Sequence, residues 1–216
     1  MNIKKIANSL VYFSIKKLAE IFGIIIFMAG ILLLAALLSY SPEDPNFIFP
    51  RNNEINNLLG FQGSFISDLL FQSVGLISFI YCATLIITGF NIIKTKEFFL
   101  IIENIFFTVL YSIFGTLFLS YFYPNAFSLY INGNGGFVGL YLAQTFFGSL
   151  LQSNENIFYF GLIILVTIFF LVSINFHPIR FYNTLINIIS NINKKGRKNY
   201  TDKSEIISEY IPQDEI

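Results

Sequence analysis

The sequence predicts an all-α integral membrane protein with four transmembrane helices, and three observations lead there. Of its 216 residues, 55% are hydrophobic and 12% charged, about half the charge of an ordinary soluble domain, and the mean hydropathy is +0.66. Four apolar stretches, near 21–38, 69–93, 98–121 and 157–174, approach or exceed the ~20 helical residues that cross a hydrocarbon core of ~30 Å. Finally, all but one of the thirteen Lys and Arg residues fall on one side of the membrane once those stretches are threaded through it.

Each stretch must be helical, because an unpaired backbone group costs several kcal/mol in lipid. The first is too long and too poorly flanked for a cleaved leader. It leaves the membrane at Leu38-Ser39-Tyr40-Ser41-Pro42, where Pro42 and Pro45 stop the helix. Lys94, Lys96 and Glu97 form the short link of a hairpin between the second and third spans. Glu103 lies in the third span near that link. An intramembrane carboxylate invites a functional reading, but here it can reach Lys96 or headgroup water by snorkelling. Pro178 is expected to loosen or end the fourth helix.

Lys4, Lys5, Lys16 and Lys17 precede the first span, and six basic residues follow the fourth; only Arg51 lies in an outer loop. The positive-inside rule therefore puts both ends and the hairpin link in the cytoplasm. Residues 1–17 form a basic N-terminus, 18–176 the membrane domain, and 177–216 a juxtamembrane linker that is basic, then acidic. Phe181 to Ile192 is expected as an interfacial helix with Phe181, Leu185, Ile186 and Ile189 on one face. Lys194, Lys195, Arg197 and Lys198 are placed to contact anionic headgroups.

The outer loops carry a repeated glycine pattern. Gly60, Gly63 and Gly75 in the first have the same spacings as Gly133, Gly136 and Gly148 in the second, at an offset of 73. The residues between them suit a short amphipathic helix in each loop, packed at the lipid surface. The first runs straight into span two; the second is interrupted at Ser153 to Asn156 before span four. The pattern reads as a weak duplication of a helix-hairpin unit.

Catalytic chemistry finds no support. The single Cys82 and single His177 exclude a disulfide within the chain and a multi-Cys metal site. Cys82 reads as a small buried hydrophobe. No Gly-x-x-x-x-Gly-Lys-[Ser/Thr] loop occurs, and no His-Glu-x-x-His or Gly-x-Ser-x-Gly. A zero net charge gives no bulk footprint for nucleic acid.

Leu37-Leu38-Ser39-Tyr40-Ser41-Pro42-Glu43-Asp44-Pro45, then Asn57 to Gly63, Asp68 to Gly75 and Gly135 to Gly139, together resemble the N-terminal four-span membrane domain of the FtsK/SpoIIIE family of DNA translocases. The resemblance covers about Leu18 to Ile174. It implies a bacterial inner-membrane anchor at the division septum that contacts division-machinery membrane proteins. In that family a linker joins the anchor to a hexameric ATPase that pumps chromosomal DNA. Neither the motor nor a DNA-reading domain is in this sequence, so no cofactor is expected here; ATP and Mg would belong to a motor that follows, and DNA would be reached only through it. Either the sequence is truncated or the anchor stands alone. A homo-oligomer is compatible with the resemblance. The packing or partner surface is expected at Ser39, Tyr40, Ser41, Pro42, Asp44 and Pro45 and at Gly60, Gly63, Gly136 and Gly139. The alternative is a small multi-pass transporter or channel subunit, which the duplication and Glu103 would serve.

Overall fold

The computed structural model describes residues 3–45, 54–124, 132–179, 182–183, 186–187 and 190. Among them there are seven α-helices and no strand: α1 Ile3–Leu38, α2 Gly60–Val74, α3 Ser78–Thr95, α4 Leu100–Phe122, α5 Gly136–Gln144, α6 Phe146–Ser153 and α7 Glu155–Ser173. Four helical stretches, Asn8–Leu38, Gly60–Thr95, Ile101–Phe122 and Glu155–Ser173, are long and apolar enough to cross a membrane. The chain divides into two compact units, Met1–Asn175 and Phe176–Ile216. The first holds all seven helices. Of the second, Ile186 is exposed, while Phe181, Leu185, Ile189 and the basic cluster 194–198 lie outside the described residues.

Helix α1 begins much earlier than the polarity pattern suggests. Residues 3–19 were expected to precede the span, yet they continue its helix. Lysines mark where lipid ends, but Lys, Leu, Ile and Ala all tolerate helical backbone, and no Gly or Pro interrupts them. The part lying beside α3 is shorter. Gly23 meets Gly89, Gly30 meets Ile86 and Leu37 packs with Cys82, so the two helices run antiparallel. A Cβ on Gly30 would come within 2.8 Å of Ile86 Cγ1, and small residues of this kind let helix backbones approach where lipid offers no hydrophobic drive. The contacts named run from Gly23 to Leu37, about 21 Å of helix.

The second crossing also departs from expectation. The outer helix does not run straight into it: α2 stops at Val74, one 3₁₀ turn follows at Gly75–Ile77, and α3 starts at Ser78. Gly75 has φ 62° and ψ −138°, a conformation that side-chain-bearing residues avoid. In the second outer loop, one expected helix is two. Thr145 is extended between α5 and α6 (φ −93°, ψ −165°), and its hydroxyl donates back to the Leu142 carbonyl at 2.7 Å. The fourth helix stops at Ser173, short of Pro178. The turn that follows holds Asn175 at φ 52°.

Helix pairs α1–α3 and α4–α7 form the two main walls, and α2 meets α5 across the outer end. Leu37, Phe71 and Cys82 form one core; Leu117, Leu151 and Leu162 form the other. Each core thus takes a residue from a descending helix, an outer helix and a returning helix, and the duplicated hairpin is visible in the packing.

Candidate functional site

The first outer cap is built by Ser39–Pro45 folding back on α2. Asp44 is only 4% exposed. Its two carboxylate oxygens accept the backbone N–H groups of Asn56 and Asn57, each at 2.9 Å. Asn57 in turn donates through Nδ2 to the Ala36 carbonyl at 2.9 Å, hooking the loop onto the last turn of α1. The Ser39 hydroxyl accepts from Leu58 N–H at 3.0 Å, and Ser64 Oγ donates to the Pro45 carbonyl at 3.1 Å. Tyr40 lies edge-on to Phe71, ring centroids 4.9 Å apart, and its hydroxyl donates to Asp68 Oδ1 at 3.1 Å.

This places most of the anticipated surface on the packing side. Asp44, Pro45, Gly63, Gly136 and Gly139 are buried; Ser39, Tyr40, Ser41 and Gly60 are half-buried; Pro42 is exposed. Gly63 leaves room for the Asn57 carboxamide, which a Cβ would overlap. Gly139 leaves the same kind of room for the Thr116 carbonyl of α4. Asn57 and Asn134 were missed in the sequence. Their place beside Gly-rich, uncharged segments, Asn57 at the head of the Asn57 to Gly63 segment and Asn134 between glycines, was the available signal.

In the structure the two helix entries correspond at an offset of 76 rather than the glycine spacing's 73, and the two cores at 80. Gly60-Phe61-Gln62-Gly63 corresponds to Gly136-Phe137-Val138-Gly139. Gly60 and Gly136 each open a helix at φ near +65°, and each donates its N–H to the carbonyl three residues back, Asn57 or Gly133. Helix entry fixes the correspondence, and the arriving loops have unequal spacing. The two caps interlock. Leu76 N–H donates to the Asn134 carbonyl at 2.9 Å, Asn134 Nδ2 donates to the Tyr123 carbonyl, and Asn132 Nδ2 donates to the Gln72 carbonyl at 3.2 Å. A Cβ on Gly75 would overlap the Asn134 carbonyl.

Inside the bundle, a polar seam joins α3, α4 and the end of α7. Along α4 the residues Asn104, Thr108, Ser112, Thr116 and Ser120 recur every fourth position, one helical face. Tyr81 donates to Ser112 Oγ at 2.7 Å, Thr84 and Tyr111 hydroxyls are 2.9 Å apart, and Asn104 Nδ2 donates to Thr88 Oγ1 at 2.9 Å. Asn175 Nδ2 donates to Asn104 Oδ1 at 2.8 Å, which ties the turn after α7 to α4. The residues named are all uncharged, and such interhelical bonds act as glue in lipid. Asn104→Leu is expected to leave Thr88 and Asn175 without these partners and to cost about 1–3 kcal/mol, read as a lower midpoint of denaturant-induced unfolding in micelles. Thr88→Val, which removes the acceptor for Asn104 Nδ2 and leaves the Asn175 bond in place, should separate the two bonds.

Glu103 is exposed in the first turn of α4, off the seam. Of the two partners expected for it, Lys96 or headgroup water, Lys96 instead lies 3.6 Å from Glu20, which also pairs with Lys17 at 2.9 Å. Glu20 thereby ties α1 to the hairpin link. Among the described residues no group of three or more His, Cys, Asp or Glu side chains is arranged to hold a metal ion.

Residues 16–183 match the family described as the 4TM region of DNA translocase FtsK/SpoIIIE. Among curated proteins, the DNA translocase FtsK of Rickettsia bellii (strain RML369-C) is 33% identical over 78 residues, 36% of this chain and 10% of the relative. The DNA translocase FtsK of Rickettsia prowazekii (strain Madrid E) is 35% identical over 69 residues, 32% of this chain and 9% of that protein. That of Rhizobium meliloti (strain 1021) is also 35% identical over 69 residues, 8% of its length. The chain thus covers about a tenth or less of each of these relatives. No solved structure matches it. Because the family match takes in both halves of the repeat and runs beyond α7, the chain belongs to the four-transmembrane region of the FtsK/SpoIIIE family and is a multi-pass inner-membrane protein.

Proposed function

We propose that this chain is the membrane-anchoring domain of an FtsK-like DNA translocase, acting in cell division and chromosome segregation at the septum. The observation that carries the reading is the family match over 16–183, joined to relatives named DNA translocase FtsK of which it covers only a small part. Both ends lie in the cytoplasm, as the lysine distribution requires. The anchor itself hydrolyses nothing: ATP and Mg would bind a motor outside this sequence, and chromosomal DNA would be met only there. Its own partners are the bilayer and membrane proteins of the division machinery. The basic cluster Lys194 to Lys198 holds anionic headgroups beside the membrane.

A fluorescent fusion should concentrate at constriction sites, and depletion should give filaments with trapped chromosomes. Uniform peripheral fluorescence together with normal division and segregation after clean deletion would sink the reading, provided no second copy of the gene exists. The seam of α3, α4 and α7 is where a transporter reading would begin. Most of its hydroxyls and amides are bonded to each other or to the backbone of α4, Ser120 Oγ excepted, which favours the anchor. Glu103→Gln should accordingly leave division and growth unchanged.

A further inference from the structure

The two outer segments were expected as short helices packed at the lipid surface, and what they expose can be read residue by residue. From Ile55 to Val74 and from Asn132 to Ser153 the only charged residue is Asp68, and Asp68 is buried. Their largest exposed side chains are apolar, with the uncharged Asn56, Gln62, Gln144, Ser149, Gln152 and Ser153 exposed among them. Phe61 is 50% exposed and Phe137 is 60% exposed, at equivalent places in the two Gly-Phe-x-Gly turns. Leu58, Leu69, Tyr141 and Phe146 are exposed as well. A contiguous uncharged apolar surface of this kind marks contact with a membrane or a protein.

We infer that α2, α5 and α6 lie in the interfacial layer of the lipid bilayer, with Phe61 and Phe137 inserted as a matched pair of anchors at the end of the bundle opposite Lys96. Three features select lipid. No charged residue stands between α2 and α3 or between α4 and α5, and at the junction of α6 and α7 only Glu155 does, bonded to the Tyr121 hydroxyl. The same turns hold buried Gly63 and Gly139 on their inner side and exposed Phe61 and Phe137 on their outer side, so each helix entry turns a ring outward. Beneath α6, an open cleft of about 330 Å³ is lined by Phe114, Leu117, Leu150, Leu151, Leu162 and Leu165 among others, all hydrocarbon, as a surface wetted by acyl chains requires. Helices of this kind bind in the headgroup–acyl boundary through their apolar face. This placement is independent of whether a motor follows the anchor.

The chain contains no Trp, so single Trp residues report their own surroundings. F61W, F137W and, as a wet reference at an exposed loop position, E43W would be reconstituted in phosphatidylcholine–phosphatidylglycerol vesicles. Lipids brominated near the headgroup should quench F61W and F137W by about twofold or more, more strongly than lipids brominated near the chain end, and iodide should reach them far less than E43W. Iodide quenching equal to that of E43W would overturn the proposal by showing a wet cap. Protection from both iodide and bromolipid would also overturn it, by showing that protein covers the rings. Retained helicity by circular dichroism in every variant keeps misfolding from imitating either result.

Discussion

Asp44→Ala is expected to lower the unfolding free energy of the chain in micelles by about 3 kcal/mol. Hydrogen bonds to a charged group contribute about 1.5–3 kcal/mol each, and a buried donor left unpaired costs its desolvation. Asp44 carries two such bonds, to Asn56 and Asn57 N–H. Its loss also frees Asn57, whose amide hooks α2's approach onto Ala36. Asp44→Asn keeps one acceptor oxygen and should recover about half of the loss. Glu43→Ala, at the exposed neighbouring position, should stay within about 0.5 kcal/mol of wild type. Equal behaviour of the Asp44 and Glu43 variants would show that the turn is not held by this carboxylate.

Gly139→Leu is expected to be as severe by a different route. A Cβ there would overlap the Thr116 carbonyl and crowd the Ser120 hydroxyl, and neither backbone can retreat without unseating α5 from α4. Overpacking of this kind costs about 1–3 kcal/mol and more where backbone is the obstacle. The variant should lose thermal stability in fluorescence-detected size exclusion, with Gly139→Ala intermediate. Gly161→Leu is the control. Nothing lies within 4 Å of a Cβ at Gly161, so it should be near neutral despite adding the same side chain to a helix.

The four crossings were legible because lipid imposes a simple arithmetic of length and polarity. Spans three and four began and ended within about two residues of expectation. What hydropathy could not carry is where helix continues outside lipid, as at Ile3 to Ala19, or where it breaks within an apolar run, as at Gly75 and Thr145. Those outcomes depend on a backbone neighbour 58 or more residues away at Gly75 and on a side-chain hydroxyl at Thr145. The structure puts most of the anticipated surface residues on the packing side, and their chemistry was hidden in the sequence. Asp44 in Ser-Pro-Glu-Asp-Pro looks like an exposed acidic loop until Asn56 and Asn57 come round to meet it. The seam was written in the sequence more openly, since Asn104, Thr108, Ser112, Thr116 and Ser120 fall at one four-residue interval. Glu103 drew attention away from it because charge is the louder signal.

The joint between Leu76 and Asn134 has a consequence for how the protein is made. A ribosome delivers α1, α2 and α3 to the membrane well before Asn134 exists, so the first half must wait in the bilayer with the Leu76 amide and the Gly75 turn uncovered. Arrival of residues 132–136 closes that turn, and α7 then completes the wall against α4. The second half therefore does not merely repeat the first but closes it, through the Leu76–Asn134 hydrogen bond and the fit of Gly75 against Asn134.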